Sequence, residues 1–411
     1  MQIAVTLRCC LDHLSDNVFG PARREARSPV DTARLRSSWN TVAGFGGGVP
    51  LFFYSTLFLT HPHLREMFPA GMSAQRDKLV RALGKVVASV DELEAAVPFL
   101  RQLGRDHRKF TVPADHYPAV GQALLATLEH FLGDEWNPDL AADWSAAYKL
   151  VADVMIAAAG ESAHTAPPWW PAEVVRHERR SLETAVLTLR TDRPLGYRPG
   201  QSVSLETSLR PKIWRYYSPA TAPREDNLLE LHVRMVDGGA VSSALVQAIR
   251  PGDLLRLGAP IGGRLTLDHP HDLVLISGGT GLAPLKALLG QIANEPRPRR
   301  VDLFVGARTA RDLYDMPALQ ALGAAVPNLR VVPVVSDDPR FAGPQGAVGE
   351  VALCHGSWQN RKVYVCGSPA MVTATRNLLY GAGVPDEHVH WEDFAGYQDP
   401  AEAGIGFLTR G

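Results

Sequence analysis

The chain has 411 residues, of which 45% are hydrophobic and 21% are charged. This composition is typical of globular proteins and excludes a disordered, fibrous or coiled-coil chain. At about 150 residues per domain, the length indicates two or three domains. The 42 basic and 43 acidic residues leave a formal net charge of -1. No nucleic acid is therefore expected as a partner, because no basic excess would neutralise its phosphates.

The cysteines Cys9, Cys10, Cys354 and Cys366 are too few for a disulfide scaffold, and they form no C-x-x-C pair for zinc. The longest apolar stretch, residues 50–60, is too short to cross a bilayer, and the first residues lack the apolar region of a signal peptide. We therefore expect a cytoplasmic protein without a membrane span, as a monomer or a weak dimer.

The first part of the chain is predicted to be helical. Residues 1–28 lack sustained periodicity and are expected to be a flexible extension. At Ser28, Pro29 and Asp31 the pattern becomes that of a helix start, with an N-cap, a first-turn proline and a carboxylate that favours the helix dipole. Helical periodicity, broken by glycines and prolines, then predicts an all-α domain over residues 29–161.

The later part changes its periodicity twice. Residues 162–172 are rich in Pro and Trp and predict a linker, because a residue before proline leaves the helical region. Short alternating runs over residues 173–268 predict an antiparallel β-barrel with one helix at 241–249. Buried strands alternate with helices over residues 269–398, before a tail at 399–411. This last pattern predicts an α/β domain with a parallel sheet.

Three helical stripes in the first domain each carry one polar side chain among apolar neighbours. The stripes are Leu100, Leu103 and His107; Leu51, Tyr54 and Phe58; and Gln75, Leu79, Ala82 and Val86. A lone histidine in such a stripe is more often a hydrogen-bonded core residue. Core packing alone does not account for three polar groups that point into one interior, because each unpaired donor would cost about 1–3 kcal/mol. A haem with an imidazole ligand and opposing hydrogen-bond donors requires this set.

Residues 105–128, RDHRKFTVPADHYPAVGQALLATL, resemble the proximal segment of bacterial flavohaemoglobins. The resemblance implies haem b, with His107 as the iron ligand and Phe68 packed on the haem. On the distal side it implies Tyr54, Gln75 and Leu79. It also implies that Tyr117 and Glu161 form a proximal hydrogen-bond network, although Glu161 could equally be an exposed charge at a helix end. Asp106 departs from the family, in which many members have Lys before the proximal histidine, and it leaves the electrostatics between the domains open.

The barrel segment contains two motifs that together resemble the FAD site of ferredoxin-reductase-like flavoproteins. Arg215, Tyr217 and Ser218 form R-x-Y-S, which in that family binds the pyrophosphate and the isoalloxazine ring. The second motif, Gly239, Val241 and Ser242, opens a helix whose backbone N–H groups suit a phosphate. A glycine hairpin before a capped helix is the structural alternative for this second motif.

The α/β segment resembles the NAD(P)H-binding part of the same superfamily. The residues that carry this resemblance are Gly278, Gly279, Thr280 and Gly281, then Cys366 and Gly367, and finally Glu392 and Phe394. Glycines between a strand and a helix allow close approach of a pyrophosphate. Cys366 is expected near the nicotinamide, with an ordinary buried thiol as the alternative. Arg308 could bind the 2'-phosphate of NADP or be a surface charge, and NADH is the default expectation.

The resemblance covers residues 30–398 and implies an NAD(P)H-dependent nitric oxide dioxygenase. Electrons would pass from NADH or NADPH through FAD to haem, where O2 and NO give nitrate. One alternative is a flavin reductase for another acceptor, such as a ferric chelate or a quinone, since SGGTGLAP also resembles reductase components of multicomponent oxygenases. A second alternative is a haem sensor or gas-binding module.

Overall fold

The structure, a computed structural model, describes residues 30–88, 93–355, 358 and 360–393. The predicted N-terminal extension and C-terminal tail, the predicted cap at Ser28 and Pro29, and Phe394 lie outside the described residues. Helices fill the described chain as far as Ala163. They are α1 Thr32–Ala43, α2 Gly48–Thr60, α3 Ser73–Ala88, α4 Leu93–His107, α5 Tyr117–Leu132 and α6 Pro138–Ala163. The all-α fold predicted for the first domain is confirmed.

The N-cap of the first described helix lies three residues after Ser28, the predicted cap. Asp31 is its N-cap, because the Asp31 carboxylate accepts a hydrogen bond from the backbone amide of Arg34 at 3.0 Å. An aspartate at this position satisfies one of the free N–H groups of the first turn. The residue predicted inside the helix therefore lies just outside it.

Helix α4, which ends at His107, is held closely against α6. Gly104 lies so near the Met155 backbone that a Cβ atom there would overlap the Met155 carbonyl. Leu100, on the same helix, is 2% exposed. This close packing fixes the position of His107 relative to α6.

The predicted inward position of Leu51 on α2 is wrong, because that side chain is 53% exposed.

Antiparallel strands follow the helical domain and form one six-stranded sheet in the order β4-β3-β6-β1-β2-β5. They are β1 Trp170–Arg179, β2 Thr184–Thr191, β3 Val203–Thr207, β4 Arg215–Tyr217, β5 Leu228–Arg234 and β6 Leu254–Leu257, with α7 Ala240–Gln247 after β5. Pro219, just after one edge strand, pairs with Leu231 on the other edge strand. This bridge brings the two edges of the sheet together, as in the predicted barrel. Strand β1 starts at Trp170, which lies inside the predicted linker.

The last described part is a parallel sheet in the order β11-β10-β7-β8-β9, with helices between its strands. Its elements are β7 Asp272–Gly278, α8 Leu282–Ile292, β8 Val301–Ala307, α9 Met316–Ala325, β9 Leu329–Val335, α10 Val348–His355, β10 Arg361–Gly367, α11 Pro369–Gly381 and β11 Val389–Asp393. The chain runs outwards in both directions from β7, so β7 and β10 border a topological switch point. Ligands bind at such points, beyond the carboxyl ends of the strands.

Among the described residues, no single helix is long and apolar enough to span a membrane. Helices α1 and α2 pass the length and composition test as a pair, with a bend of 98° between them. The apolar side chains of α2 include Phe53 and Leu57, which are buried in the core of the helical domain.

Candidate functional site

His107 has the hydrogen-bonding pattern of a metal-ligating histidine. Its Nδ1 lies 2.8 Å from the Leu103 carbonyl oxygen. A carbonyl oxygen can only accept, so Nδ1 carries the proton and Nε2 keeps its lone pair. Burial also lowers the pKa of His107, which favours the neutral ring. A neutral imidazole oriented by a backbone carbonyl is the form that binds iron, and His107 therefore fits a haem.

The predicted distal residues Tyr54 and Leu79 lie in the helical core together with Phe68, which was predicted to pack on the haem. Tyr54 is 6% exposed, and its hydroxyl donates to the Gln75 backbone carbonyl across 3.5 Å. The Phe68 ring packs edge-on against Tyr54 with 5.5 Å between ring centroids, and Leu79 belongs to the same apolar cluster. Burial raises the pKa of Tyr54 to about 12. The phenol is therefore a neutral donor inside an apolar interior.

The structure does not bring Glu161 to His107 or to Tyr117. Both carboxylate oxygens of Glu161 bond to the Arg101 guanidinium, and the Glu161 side chain is 57% exposed. Arg101 lies on α4 and Glu161 near the end of α6, so this ion pair joins the two helices. Tyr117 begins α5, and its backbone carbonyl accepts a hydrogen bond from the Tyr148 hydroxyl at 2.6 Å. The predicted proximal network is therefore not formed by Glu161 here.

The barrel and the parallel sheet share one large cleft with a volume of about 1160 Å³. It contains predicted residues from both motif sets. These are Arg215, Tyr217, Ser218, Gly239, Val241, Ser242, Gly278, Gly279, Thr280, Cys366 and Glu392. One cleft therefore holds residues of both motif sets, which is what adjacent binding of a flavin and a nicotinamide would require. Arg308 and Arg311 also line it, and Arg308 is exposed.

The flavin side of the cleft is built by β4 and the start of α7. Tyr217 is half-buried on β4, and burial raises the pKa of its phenol. Ser218 is held by the Ser202 hydroxyl, 2.8 Å away. Gly239 is the N-cap residue of α7, and its carbonyl accepts a hydrogen bond from Ser242 at 3.0 Å. The exposed backbone at this helix start suits the phosphates of FAD.

The nicotinamide side lies where β7 and β10 end. Gly279 has φ of +54°, and Gly281 sits so close to β10 that a Cβ atom would overlap the Cys366 carbonyl. Gly367 faces Gly278 across the same gap. These positions let the N-terminus of α8 point into the cleft, which is the arrangement that binds a pyrophosphate. Cys366 is buried, and burial raises the pKa of its thiol.

One buried polar cluster beside the cleft was missed by sequence reasoning. His232 Nε2 lies 2.8 Å from Glu230 Oε1, and His232 Nδ1 lies 2.7 Å from the Tyr314 hydroxyl. Lys286 Nζ lies 2.6 Å from Glu230 and 2.7 Å from Asp315. Burial alone would raise the pKa of Glu230, but His232 and Lys286 hold it at about 2. The cluster joins β5 of the barrel to the parallel-sheet domain. Its local sequence signal is a Glu and a His two residues apart, on the face of β5 opposite to the core residues Leu229, Leu231 and Val233.

A second missed cluster crosses from the helical domain to the barrel. The Tyr216 hydroxyl lies 2.9 Å from an Asp106 carboxylate oxygen. Lys109 Nζ lies 3.2 Å from the Tyr216 hydroxyl, 3.3 Å from Ser204 Oγ and 3.5 Å from Asp106. Asp106, the residue that departs from the family, is thus paired with Lys109 at the domain contact.

Three known domain families match the chain in the predicted order. The Globin family model matches residues 51–155, the Oxidoreductase FAD-binding domain matches residues 171–265, and the Oxidoreductase NAD-binding domain matches residues 275–377. These matches and the fold agree with the predicted cofactor classes, which are haem, FAD and a nicotinamide nucleotide. The exact domain boundaries stay predictions.

Curated relatives cover nearly the whole chain. The flavohemoprotein of Bacillus subtilis strain 168 is 29% identical over 369 residues, which are 83% of this chain and 91% of the relative. The flavohemoprotein of Deinococcus radiodurans is 28% identical over 408 residues, which are 92% of this chain and 100% of the relative. The reductase component of phenol 2-monooxygenase from Pseudomonas sp. strain CF600 is 32% identical over 216 residues, which are 51% of this chain and 60% of the relative.

Solved structures show the same architecture. A flavohemoglobin from Malassezia yamatoensis, determined with FAD and heme bound, has a TM-score of 0.70 at 19% identity, covering 89% of this chain and 99% of that chain. A cytochrome P450 reductase from Amycolatopsis has a TM-score of 0.52 at 33% identity, covering 56% of this chain and 71% of that chain. With a globin domain, an FAD-binding domain and an NAD-binding domain in this order, the chain has the domain organisation of the flavohaemoglobins.

Proposed function

We propose that the protein is an NAD(P)H-dependent nitric oxide dioxygenase, with NADH as the default donor. One NO, one O2 and one electron give one nitrate, so each nicotinamide supports two turnovers. The observation that carries the proposal is the buried Tyr54 hydroxyl beside Gln75, in a globin domain joined to a cleft with flavin and nicotinamide motifs. Bound haem supplies the iron at which O2 and NO react and which accepts electrons singly.

The distal residues would orient the gases and keep water out. The Tyr54 phenol stays protonated well above neutral pH, so it donates a hydrogen bond to oxygen that gains negative charge. Gln75, whose backbone carbonyl lies beside the Tyr54 hydroxyl, would supply a second polar side chain on the distal side. Phe68 and Leu79 close the interior with apolar surface, which strengthens those hydrogen bonds by lowering the local dielectric.

The cleft residues would arrange the two nucleotides for hydride transfer. The backbone at Gly239 and at Gly279–Gly281 would bind the pyrophosphates, and Arg215 adds a positive charge at the flavin side. Tyr217 and Ser218 would position the isoalloxazine ring. A flavin accepts two electrons at once and releases them singly, which a nicotinamide alone does not do.

An NO electrode tests the proposal on protein loaded with haem and FAD. We expect NO consumption only when NADH and O2 are both present, with nitrate as the product. His107→Ala should lower this rate by at least about 100-fold, because iron loses its protein ligand, while flavin reduction by NADH is retained. NO consumption that persists in His107→Ala would show that the globin site is not where the reaction occurs.

One observation favours a second function for the reductase half. This half is 32% identical to the phenol 2-monooxygenase reductase component, slightly above the 29% identity of the Bacillus subtilis flavohemoprotein. A reductase that serves another acceptor would reduce ferric chelates or quinones with NADH at a rate that His107→Ala leaves unchanged. This activity exceeding NO consumption in the intact protein would favour the second function.

The proposed setting is the cytoplasm, where NADH is available, and the proposed state is a monomer or weak dimer. Cell fractionation tests the first proposal, and sedimentation of the loaded protein tests the second. Recovery in a membrane or secreted fraction, or a tight oligomer, would contradict them.

A further inference from the structure

Lys109 is a buried cation at the contact between the globin domain and the barrel. It is 8% exposed, and an ammonium group removed from water needs compensating partners. Asp106, from its own domain, supplies the charge at 3.5 Å. Ser204 and Tyr216, from the barrel, supply hydroxyl groups at 3.3 Å and 3.2 Å. The cation is therefore fully partnered only when the two domains are docked.

Aromatic rings surround this polar contact. Lys109 Nζ lies 5.1 Å from the centroid of the Tyr216 ring, 5.4 Å from that of Phe110 and 5.6 Å from that of Trp214. Phe110 and Trp214 also meet edge-on across the domain contact, with 6.3 Å between centroids. Cation–π attraction grows when water is excluded. The rings thus strengthen the contact that they enclose.

The hydrogen bond between Tyr216 and Asp106 lies next to both predicted cofactor sites. Asp106 is the residue before His107, at the end of α4. Tyr216 is the residue before Tyr217, and it also lines the flavin and nicotinamide cleft. The 2.9 Å hydrogen bond therefore connects the backbone that carries the proximal histidine to a side chain at the flavin side.

We propose that Asp106, Lys109 and Tyr216 are positioning residues that dock α4 onto the flavin motif and set the rate of electron transfer between the two domains. In that step one electron leaves the reduced flavin and enters the haem iron, and no bond is made or broken. The inference rests on the proposed function only in requiring that both cofactors are bound and that electrons pass between them. The identity of the gas substrate does not enter.

Tyr216→Phe tests the hydrogen bond, because it removes one hydroxyl and keeps the ring. Under argon, rapid mixing of the loaded protein with NADH separates flavin bleaching from the shift of the haem Soret band. We expect flavin reduction within about 2-fold of wild type and haem reduction slowed by about 10-fold or more. Tyr380→Phe is the matched control, since Tyr380 also donates its hydroxyl to an aspartate, Asp386, in the nicotinamide domain. The control should leave both rates unchanged.

A double-mutant cycle distinguishes loss of the hydrogen bond between Tyr216 and Asp106 from a nonspecific loss of structure. Asp106→Ala should slow haem reduction at least as much as Tyr216→Phe does, because it also removes the charge partner of Lys109. The double variant should be no slower than Asp106→Ala alone, because the hydrogen bond between Tyr216 and Asp106 is already absent from that single variant. Asp106→Asn keeps an oxygen acceptor for Tyr216, so it should recover most of the rate. Additive slowing, or no recovery with asparagine, would contradict a shared hydrogen bond.

Hydrogen exchange provides a readout independent of turnover. In the loaded protein without NADH, Tyr216→Phe should raise amide exchange at the end of α4 and in β4, and Tyr380→Phe should not. Wild-type exchange together with wild-type haem reduction in Tyr216→Phe would overturn the inference. Failure of the proposed function is distinguishable, since it appears as wild-type protein that reduces its haem normally yet does not convert NO to nitrate.

Discussion

Tyr54 is the side chain whose environment bears most directly on the proposed chemistry. Burial raises its pKa to about 12, so the phenol keeps its proton across the physiological range and remains a hydrogen-bond donor. Tyr54→Phe keeps the ring in the core and removes that donor. We expect NO consumption to fall by about 10- to 100-fold, the equivalent of one lost hydrogen bond to developing charge.

The measurement for Tyr54 is the NO-dependent rate at several pH values, with flavin reduction by NADH as the internal control. Between pH 7 and pH 10, ionisation of Tyr54 should not contribute to the wild-type profile, because its pKa lies above that range. An unchanged NO rate in Tyr54→Phe would show that the hydroxyl has no role in the reaction.

Cys366 lines the cleft as a protonated thiol. Burial raises its pKa, and the nearby carboxylates of Glu392 and Asp393 raise it further. Thiolate is the reactive form, so Cys366 should resist alkylation at pH 8 in the folded protein. Cys354 is exposed and should react first. Iodoacetamide labelling read by peptide mass spectrometry checks this order, and faster labelling of Cys366 would contradict a packing role beside the nicotinamide.

At the scale of elements, Lys286 on α8 connects the nicotinamide domain to β5 of the barrel. Lys286→Met would remove the ammonium group that lies 2.6 Å from Glu230 and 2.7 Å from Asp315, and would leave Asp315 with Arg180 at 3.9 Å as its remaining basic partner besides His232. We expect the free energy of unfolding of the FAD domain to fall by about 3–5 kcal/mol. Lys149→Met is the matched control, because the Lys149–Asp153 pair is exposed, and it should change stability by less than about 0.5 kcal/mol.

Urea unfolding followed by flavin fluorescence measures both variants. An equal effect of the two substitutions would contradict the importance of the buried cluster. FAD must be held at one concentration throughout, because binding to the folded state adds to the apparent stability.

The same cluster predicts a dependence of stability on acid. The folded pKa of Glu230 is about 2, below an unfolded value of about 4.3, so its ionised form is favoured in the folded state. This contribution is complete above the unfolded pKa and is lost as pH falls towards 2. Wild-type stability should therefore decrease between pH 5 and pH 3. The decrease should be smaller in Lys286→Met, where the Glu230 pKa is higher, and equal slopes would contradict this assignment.

Local sequence patterns predicted many elements, but contacts between distant residues were missed. Residues 301–307, VDLFVGA, lie in the segment predicted to alternate buried strands with helices, and they form β8, Val301–Ala307. The cleft motifs converge because β7 and β10 are neighbouring parallel strands whose carboxyl ends coincide. Glu161 shows the opposite case. The family pattern pointed it towards the haem, and its ion pair with Arg101 depends on how α4 and α6 pack.

At the scale of the whole molecule, the domain contact could not be predicted from any local pattern. Asp106 and Tyr216 are 110 residues apart, and nothing in either segment encodes how the globin domain docks on the barrel. Tyr216 also occupies the variable position of R-x-Y-S, which motif reasoning ignores. The three domain types, their order and their cofactor classes followed from independent motifs, whereas the contact that joins the globin domain to the barrel is visible only in the folded structure.

The proposed function requires that electrons from NADH reach the globin domain and are used there to convert NO to nitrate. The most direct measurement is the absorption spectrum of the loaded protein under argon, before and after NADH, and then after admission of air followed by NO. We predict flavin bleaching together with a shift of the haem Soret band, and recovery of the starting spectrum as NO becomes nitrate. Flavin bleaching without a shift of the Soret band would show that electrons do not pass from the flavin to the globin domain, and it would contradict the proposed function.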